Sequence, residues 1–266
     1  MLARWLEAWQ ARREAAAVAR RPIPDDLWKR TLVRYPFLQR RDAAAGERLR
    51  RLTSLFLDRK EFSAADGLQL TDAMAVAIAA QAVLPVLELG LARYDGFVGI
   101  VVHPDLVVAR RSVVDEHGLV HEYDEELAGE AMAGGPVMLS WRDVRSAGRD
   151  AEIAYNVVIH EFAHVLDLAN GESDGMPELP PDISATQWRA TLDGEYESFA
   201  ARVEAGARTW LDPYGAQGED EFFAVASEAF FVDPWTLRGE HGALYALFAR
   251  YYRQDPARER PQPRRR

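Results

Sequence analysis

The feature that most constrains this chain is the stretch VVIHEFAHVLDLANG, which runs from residue 157 to residue 171. Within it, His160, Glu161 and His164 form an H-E-x-x-H motif. Apolar residues flank the motif at helical spacing, and Asn170-Gly171 is typical of a helix end. Residues four apart on a helix lie on one face, so both imidazoles can point at one ion. The stretch therefore predicts a helix that carries part of a metal site.

Glu161 follows His160 directly and is rotated by about 100° from it around the helix axis. Its carboxylate can therefore reach a water molecule at the ion without competing for the ion. Neutral imidazole suits Zn²⁺, and a carboxylate can take a proton from such a water. The alternative is a buried helix whose histidines make only core hydrogen bonds, which is costly for two imidazoles and an acid. We therefore predict one Zn²⁺ per chain, with Glu161 as the general base.

Composition narrows the class of protein. The net charge of −10 argues against nonspecific nucleic-acid binding by the body of the chain. The absence of cysteine excludes disulfides, thiolate metal sites and cysteine nucleophiles, and it fits a reducing compartment. The N-terminus lacks the apolar core of a signal peptide, and the apolar run Ala73 to Leu87 is shorter than the roughly twenty residues a membrane span needs. We expect a cytoplasmic protein that binds neither membranes nor nucleic acid directly.

The pattern of apolar residues predicts helices up to about residue 93 and strands after it. Strands are expected at 96–104, 106–114, 119–123 and 134–141, with a turn at 115–118. Because Pro136 stands near the start of the last strand, we expect that strand at a sheet edge. The apolar helix at 70–91 should break or kink near Pro85. Further helices are expected at about 185–209, within 212–231 and at 244–252.

These elements predict an α+β fold in which a small mixed β-sheet and the H-E-x-x-H helix are surrounded by other helices. This arrangement is typical of zincin-like metallopeptidases, whose edge strand can bind an extended substrate beside the metal. We expect a single such domain over residues 22–255, a packed or partly mobile helix at 1–21 and a disordered basic tail at 256–266. The histidines at 103, 117 and 121 lack the spacing of a second metal site, so we expect them to be solvated or locally bonded.

The third metal ligand is expected to be a carboxylate further along the chain. A catalytic zinc usually has three protein ligands and an exchangeable water, and a third histidine at the spacing of the extended motif is missing. The predicted helix at 219–231 offers Glu221 and Glu228, which are seven residues apart and therefore close to the same face. Spacing alone does not separate the two, and ordinary hydrogen bonds for both are an alternative.

Four stretches make the chain resemble the Mlc titration factor A family of bacterial zinc metallopeptidases: PIPDDLWKRTLVRYPFL, GPVMLSW, NVVIHEFAHVLDLANGESDGMPEL and DPYGAQGEDEFFAVASEAFF. The resemblance covers about residues 22–256. A more distant likeness is to the catalytic domain of anthrax lethal factor, which also has H-E-F-x-H with an aspartate three residues later and a Tyr-Gly loop before E-F-F. The combination is far more specific than the H-E-x-x-H motif alone.

The resemblance implies roles for single residues. His160 and His164 match metal ligands, Glu161 matches the general base, and Glu221 matches the third ligand. Tyr214 matches a tyrosine thought to stabilise the oxyanion.

Two further acids are expected near a histidine ligand. Glu228, and with less support Asp167, can orient a histidine ligand through its other ring nitrogen. Glu228 also stays open as an alternative ligand, and Asp167 is equally well explained as a solvated acid at the helix end.

The function that the resemblance implies is hydrolysis of peptides by metal-activated water, with aminopeptidase activity as its narrower form. An aminopeptidase also needs an acid for the substrate's α-ammonium group, and Glu172, Asp174 and Glu178 are candidates in the loop after the metal helix. Family members in enteric bacteria bind the glucose-responsive repressor Mlc. The alternative function is therefore sequestration of a transcriptional repressor of that type, although the presence of the base Glu161 favours an enzyme.

Overall fold

A computed structural model describes residues 12–114, 120–132, 134–147 and 154–258, and for residues 107–114 and 120–127 it describes the backbone only. The structure is mixed α+β, with a small mixed sheet and many helices, as the sequence predicted at this coarse level. The helices are α1 (residues 12–20), α2 (Asp25–Arg34), α3 (Ala43–Arg59), α4 (Asp72–Ala82), α5 (Trp141–Ser146), α6 (Val157–Asp167), α7 (Ala185–Glu204), α8 (Glu219–Val232), α9 (Pro234–Glu240) and α10 (Gly242–Tyr252).

The ends of several helices follow from local chemistry. Asp42, Thr71 and Ser184 each accept a hydrogen bond from a backbone N–H three residues later, and they begin α3, α4 and α7. Helix α4 ends at Ala82, before Pro85, which cannot donate to a helical hydrogen bond. Helix α7 ends at Glu204, earlier than the predicted Thr209, because the turn at Gly206 has a positive φ of 67°.

The strands are β1 (Glu61–Ala64), β2 (Gly99–His103), β3 (Val107–Val114), β4 (Val120–Leu127), β5 (Gly129–Ala131) and β6 (Val137–Ser140). Strands β3 and β4 pair with each other in an antiparallel two-stranded sheet. The other four form one sheet in the order β1-β2-β6-β5. In it β1, β2 and β6 are parallel, and β5 runs antiparallel to β6.

One expectation about the sheet was wrong, and two strands were not predicted. Strand β6 is interior, between β2 and β5, because Pro136 lies just before its first residue and therefore costs no ladder hydrogen bond. The edge strand is β5, which was not predicted, and β1 at the opposite edge was also missed. The predicted strand at 119–123 is the longer β4, whereas the predicted turn at 115–118 lies outside the described residues.

The core lies behind helix α6, which packs against α4, α8, β5 and β6. Phe162 of α6 is fully buried among Tyr94, Phe97 and Phe56, with ring centroids 5.0, 5.8 and 5.7 Å away. Rings at these separations bury a large apolar area, mostly in edge-to-face contacts. The cluster therefore fixes the inner face of α6 and leaves its opposite face for other groups.

Helix α4 is mostly buried, and no helix in the described part of the chain is long and apolar enough to cross a membrane. In α1, Ala17 belongs to the hydrophobic core. The domain limits at residues 21 and 255 stay a prediction, and residues 1–11 and 259–266 lie outside the described ranges.

Candidate metal centre

Helix α6 begins at a capped N-terminus that also supports the site. The Asn156 side chain accepts a hydrogen bond from the Ile159 N–H at 3.0 Å. Its amide nitrogen donates to the side-chain oxygen of Gln81 at 2.9 Å, and the Gln81 amide in turn donates to the Ala77 carbonyl at 2.9 Å. Asn156 and Gln81 are fully buried, so these bonds satisfy polar groups that would otherwise destabilise the core. The start of α6 is thereby tied to α4.

The two motif histidines project from α6 toward one point. The Nε2 atoms of His160 and His164 are 3.2 Å apart, and their ring centroids are 4.8 Å apart. Glu221, from the first turn of α8, brings one carboxylate oxygen to 3.1 Å from His160 Nε2 and 3.4 Å from His164 Nε2. Among the residues the structure describes, these three form the one cluster of this kind that could hold a metal ion.

The separations within the cluster suit a tetrahedral ion. Zn–N and Zn–O bonds of about 2.0–2.1 Å at tetrahedral angles place ligand atoms roughly 3.3 Å apart. The three observed separations are 3.1, 3.2 and 3.4 Å. Two imidazole nitrogens and a carboxylate also form the usual donor set of a catalytic zinc site. The residues present therefore fit a metal ion, and their chemistry fits zinc.

Glu228 lies one layer behind the cluster. One of its carboxylate oxygens accepts a hydrogen bond from Nδ1 of His160 at 2.7 Å, and the other accepts one from the backbone N–H of Asn156. With a proton on Nδ1, His160 can offer the lone pair of Nε2 to an ion held between Glu221 and His164. Spacing had left Glu221 and Glu228 as equal candidates for the third ligand, and only the first lies in the cluster.

Electrostatics in the site follow from burial and from these contacts. Burial by itself lowers the pKa of His160, but the hydrogen bonds to Glu221 and Glu228 outweigh it and raise the pKa well above its ordinary value. Burial opposes ionisation of Glu221, yet its bonds to His160 and His164 lower its pKa to about 2. The cluster therefore favours one positive charge between a carboxylate and two imidazoles, which is the position a cation would take.

Glu161 behaves differently from the other acids of the site. It is buried, and desolvation raises its pKa to about 7 although the neighbouring histidines lower it. It lines the cavity of about 260 Å³ that also contains His160, His164 and Glu221. A carboxyl with a pKa near neutrality can both accept and return a proton at physiological pH.

Gly129 of the edge strand β5 makes room for Glu161. A Cβ atom at Gly129 would lie 2.5 Å from Oε1 and 2.6 Å from Cγ of Glu161, closer than any ordinary contact. The backbone of β5 therefore passes directly beside the carboxylate. The Ser140 N–H donates to the Ala128 carbonyl, so Ala128 and, by alternation, Glu130 face β6. The N–H and C=O groups of Gly129 and Ala131 point away from the sheet.

Tyr214 lies in a short 3-10 helix, Pro213–Ala216, just before α8. The Asp212 carboxylate accepts a hydrogen bond from its backbone N–H at 3.0 Å. Its ring centroid is 6.0 Å from that of His160, and it lines the same cavity as the cluster. The side chain is 36% exposed, so it can turn toward a ligand in the cavity.

Several sequence-based expectations about nearby acids do not match the structure. Asp167 does not contact a histidine ligand, since one of its oxygens accepts the Gly175 N–H at 2.9 Å and the other is buried without a partner. Asp174 pairs with Arg189, and Glu178 pairs with Arg93 at 2.5 Å. None of Glu172, Asp174 and Glu178 lines the described cavity of the cluster, whose acids outside the motif are Glu130, Asp220 and Glu221.

His103 is separate from the site. His103 hydrogen-bonds to Asp66 at 2.8 Å, consistent with local bonding. His117 and the side chain of His121 lie outside the described part of the structure.

Three supporting residues were not identified from the sequence. Asn156 carries a usable signal, because an asparagine directly before an apolar helix is a common N-cap. Gln81 is a single amide in an otherwise apolar run, which hints at a buried polar partner. Gly129 carries no local signal, since its close approach to Glu161 depends on the pairing of β5 with β6.

Comparison with known proteins agrees with this geometry. Residues 6–253 match the family described as glucose-regulated metallo-peptidase M90. The chain is 38% identical over 214 residues to Mlc titration factor A of Edwardsiella ictaluri, which covers 79% of this chain and 80% of that protein. It is also 33% identical over 258 residues to Mlc titration factor A of Yersinia pestis. That alignment covers 95% of this chain and 90% of that protein.

An uncharacterised protein of Synechocystis is also 33% identical, over 254 residues that cover 95% of this chain and 90% of that protein. The distant likeness to the catalytic domain of anthrax lethal factor stays a prediction. The match of the family over nearly the whole chain and the level of identity to its named relatives lead to one conclusion: the chain belongs to the glucose-regulated metallo-peptidase M90 family.

Proposed function

We propose that this protein is a zinc-dependent peptidase of zincin-like architecture that hydrolyses peptide bonds in the cytoplasm. His160, His164 and Glu221 are its metal ligands, Glu161 is its general base, and Tyr214 stabilises the oxyanion. The observation that carries the proposal is the pairing of a metal-type cluster with a separate buried carboxylate, Glu161, whose pKa is raised to about 7. A site that held a metal for structure alone has no need of that second acid.

Each residue of the site has a separate role in the proposed reaction. Bound zinc supplies a Lewis acid that polarises the peptide carbonyl and lowers the pKa of a water toward about 7. Glu161 takes the proton of the attacking water and returns it to the leaving nitrogen. The Tyr214 hydroxyl donates a hydrogen bond to the developing oxyanion, a contribution typically of about 10²–10³ in rate. Glu228 holds His160 in the tautomer that keeps Nε2 free for the metal.

The edge strand β5 provides the means of holding a peptide. The outward backbone groups of Gly129 and Ala131 line the cavity of the cluster, where they can pair with an extended substrate. Because Gly129 lies against Glu161, a peptide on β5 brings a backbone carbonyl next to the base. This arrangement supports a zincin-like mode of substrate binding.

The narrower proposal is aminopeptidase activity, which requires an acid for the substrate's free α-ammonium group. In the described cavity, Asp220 and Glu130 replace the loop acids as candidates. The Asp220 carboxylate accepts a hydrogen bond from the Ser173 hydroxyl at 3.1 Å, which fixes its position at the cavity wall. Free and N-acetylated versions of the same peptides test this version, and equal cleavage of both rejects it.

The substitution Glu161→Gln tests the enzyme proposal directly, because it keeps the size of the side chain and removes the base. We expect wild-type protein loaded with zinc to cleave peptides, and the variant to lose at least about 10²-fold in kcat. Zinc content should be equal in the two proteins. If both proteins cleave peptides at the same rate and with the same zinc content, Glu161 is not the base and the proposed mechanism is rejected.

The second candidate function is binding of a transcriptional repressor, which the name of the relatives, Mlc titration factor A, suggests for them. Such a role depends on a surface rather than on a base. A repressor of the Mlc type should therefore bind wild type and Glu161→Gln with the same affinity. Binding of this kind without any turnover of peptides by wild type would make the regulatory role the main one.

A further inference from the structure

The loop that follows the metal helix, residues 170–176, packs against the first turn of α8. The N–H of Gly175 in this loop donates to the Asp167 carboxylate at 2.9 Å. Gly175 has a positive φ of 73°, and a Cβ atom there would lie 2.6 Å from the carbonyl oxygen of Glu219. The backbone of the loop therefore lies directly on the backbone of α8, two residues before the proposed ligand Glu221.

Arg189, in the second turn of α7, joins this loop to α8. One of its guanidinium nitrogens donates to the Asp174 carbonyl at 2.8 Å and to the Glu219 carboxylate at 3.1 Å. Another donates to the Asp174 carboxylate. A planar guanidinium fixes the directions of its hydrogen bonds, so it holds its partners at defined positions relative to each other. One side chain therefore connects the loop with the start of α8.

The first turn of α8 contains three acids in a row, Glu219, Asp220 and Glu221. Acids at a helix N-terminus interact favourably with the helix dipole, but neighbouring carboxylates repel each other. Arg189 brings a positive charge to Glu219, and the Ser173 hydroxyl of the loop donates to Asp220 at 3.1 Å. These contacts engage the two acids before Glu221, whose own carboxylate is directed at the two histidines.

The exact position of Glu221 matters because metal ligands tolerate little displacement. Its carboxylate oxygen is 3.1 Å from Nε2 of His160 and 3.4 Å from Nε2 of His164. Metal–ligand distances in a formed site vary by only about 0.2 Å. A larger shift of the first turn of α8 therefore moves the third ligand away from an ion held by the two imidazoles.

We propose that Arg189 is a positioning residue for the third metal ligand: by tying the loop to Glu219, it holds Glu221 at bonding distance from an ion on the two histidines. Arg189 is not part of the described wall of the cluster's cavity, so it acts through Glu219 and the loop rather than on the ion or a substrate. The inference rests on the proposed function in one point, the role of Glu221 as a ligand. It adds a residue of α7 to the site.

The partly exposed position of Arg189 separates this role from a role in folding. Its side chain is 29% exposed. The neighbouring Trp188, in contrast, is fully buried and stacks on Phe248 with ring centroids 5.9 Å apart. Ion pairs at partly exposed positions contribute little to stability. Removal of the guanidinium should therefore leave the fold intact and displace the first turn of α8.

The variant Arg189→Met tests the proposal, and Arg202→Met is its matched control. Methionine keeps a long unbranched side chain and removes every hydrogen-bond donor. Arg202 lies in the last turn of the same helix, where it donates to the Arg208 carbonyl at 3.2 Å. We expect zinc affinity, measured by competition with a chelator, to fall by roughly 10- to 100-fold in Arg189→Met and to stay unchanged in Arg202→Met. Circular dichroism of the zinc-free proteins checks that both variants are folded.

Two further measurements separate positioning from a general loss of stability. The visible absorption of cobalt-substituted protein reports the geometry of the metal site, and its bands should change in Arg189→Met but not in Arg202→Met. Glu219→Ala removes the same contact from the side of α8 and should also lower zinc affinity. Because both changes break one link, the double variant should bind zinc no more weakly than Arg189→Met alone. Glu219→Ala also carries the test if Arg189→Met does not fold.

The outcomes separate this inference from the function beneath it. Unchanged zinc affinity and cobalt absorption in Arg189→Met overturn the inference, and so does an equal change in Arg202→Met. Additive losses in the double variant also overturn it, because they show two independent effects. Wild-type zinc affinity in Glu221→Ala rejects the ligand assignment on which the inference rests. Absence of peptide turnover by zinc-loaded wild type rejects the peptidase function and leaves the metal measurements to decide the role of Arg189.

Discussion

Glu228 accepts a hydrogen bond from Nδ1 of His160 at 2.7 Å with one carboxylate oxygen, and its other oxygen accepts the N–H of Asn156 at the start of the same helix. One carboxylate therefore fixes both the ring of the first histidine and the end of the helix that carries it. Neither contact is available to Glu221, which faces the opposite nitrogen of the ring.

The first prediction concerns this carboxylate. Glu228→Gln keeps one acceptor oxygen but loses the second. His160 is then held less firmly, and its Nε2 donates its lone pair to the metal less strongly. We expect zinc affinity to fall by roughly 10- to 100-fold, measured by competition with a chromogenic chelator. Glu221→Ala should lower zinc affinity far more than Glu228→Gln does, because it removes a metal ligand. Stronger zinc loss in Glu228→Ala than in Glu221→Ala would falsify the assignment of the third ligand.

The second prediction concerns Gly129. Gly129→Ala places a methyl group 2.5 Å from the present position of Glu161 Oε1, so the carboxylate must move. We expect kcat to fall by about 10²-fold with zinc content unchanged, since misplacement of a reacting group by 1 Å costs about that much. Gly194→Ala, on the exposed face of α7 with no atom near its Cβ position, is the control and should keep full activity. Unchanged kcat in Gly129→Ala would mean that the base does not depend on this contact.

The third prediction concerns stability against pH. Burial raises the pKa of Asp167 to about 6, with the carboxylates of Asp174 and Asp220 adding to the shift and the Gly175 N–H and His164 opposing it. The unfolded chain ionises this group near pH 4, so the unfolded state binds fewer protons than the folded state between about pH 4 and 6. The free energy of unfolding therefore falls as pH rises through this window, and the loss is complete above about pH 6.

The variant Asp167→Asn keeps an acceptor for Gly175 and removes the titration. The difference in the free energy of unfolding between the variant and wild type should shift in favour of the variant by about 1–3 kcal/mol from pH 4 to pH 7. Urea unfolding at the two pH values measures the difference. A constant difference across the window would show that the Asp167 pKa is not raised in the folded protein.

The fourth prediction concerns the aromatic cluster behind the metal helix. Phe162→Ala removes a fully buried ring that contacts Tyr94, Phe97 and Phe56. We expect a loss of about 3–5 kcal/mol in the free energy of unfolding, measured with denaturant. Val33→Ala, at a site with 73% exposure, should change stability by less than about 0.5 kcal/mol. Similar effects of the two substitutions would contradict the packing described for α6.

The metal helix and its surroundings could be predicted from the sequence because their signals are local. Helix α6 combines an apolar stripe, a cap and two histidines four residues apart, and all three signals lie within one short segment. Helices α7 and α10 were also close to their predicted positions, since a 3.6-residue period is contained in each of them.

The sheet and the supporting contacts could not be predicted in the same way, because they depend on pairing between distant segments. Strand β1 has a mostly exposed pattern and is a strand only because it pairs with β2. Strand β6 carries an edge-type proline in front of it yet lies inside the sheet. The choice between Glu221 and Glu228 depends on the rotation of α8 against α6, which spacing along the chain does not contain.

The length of β5 has a consequence for the protein as a whole. Open strand edges attract strands of other chains, and long flat edges lead to aggregation. Strand β5 has three residues, and only Gly129 and Ala131 present free backbone groups to the outside. Two such residues are enough to align one short extended segment at this edge and too few to template a fibril from it.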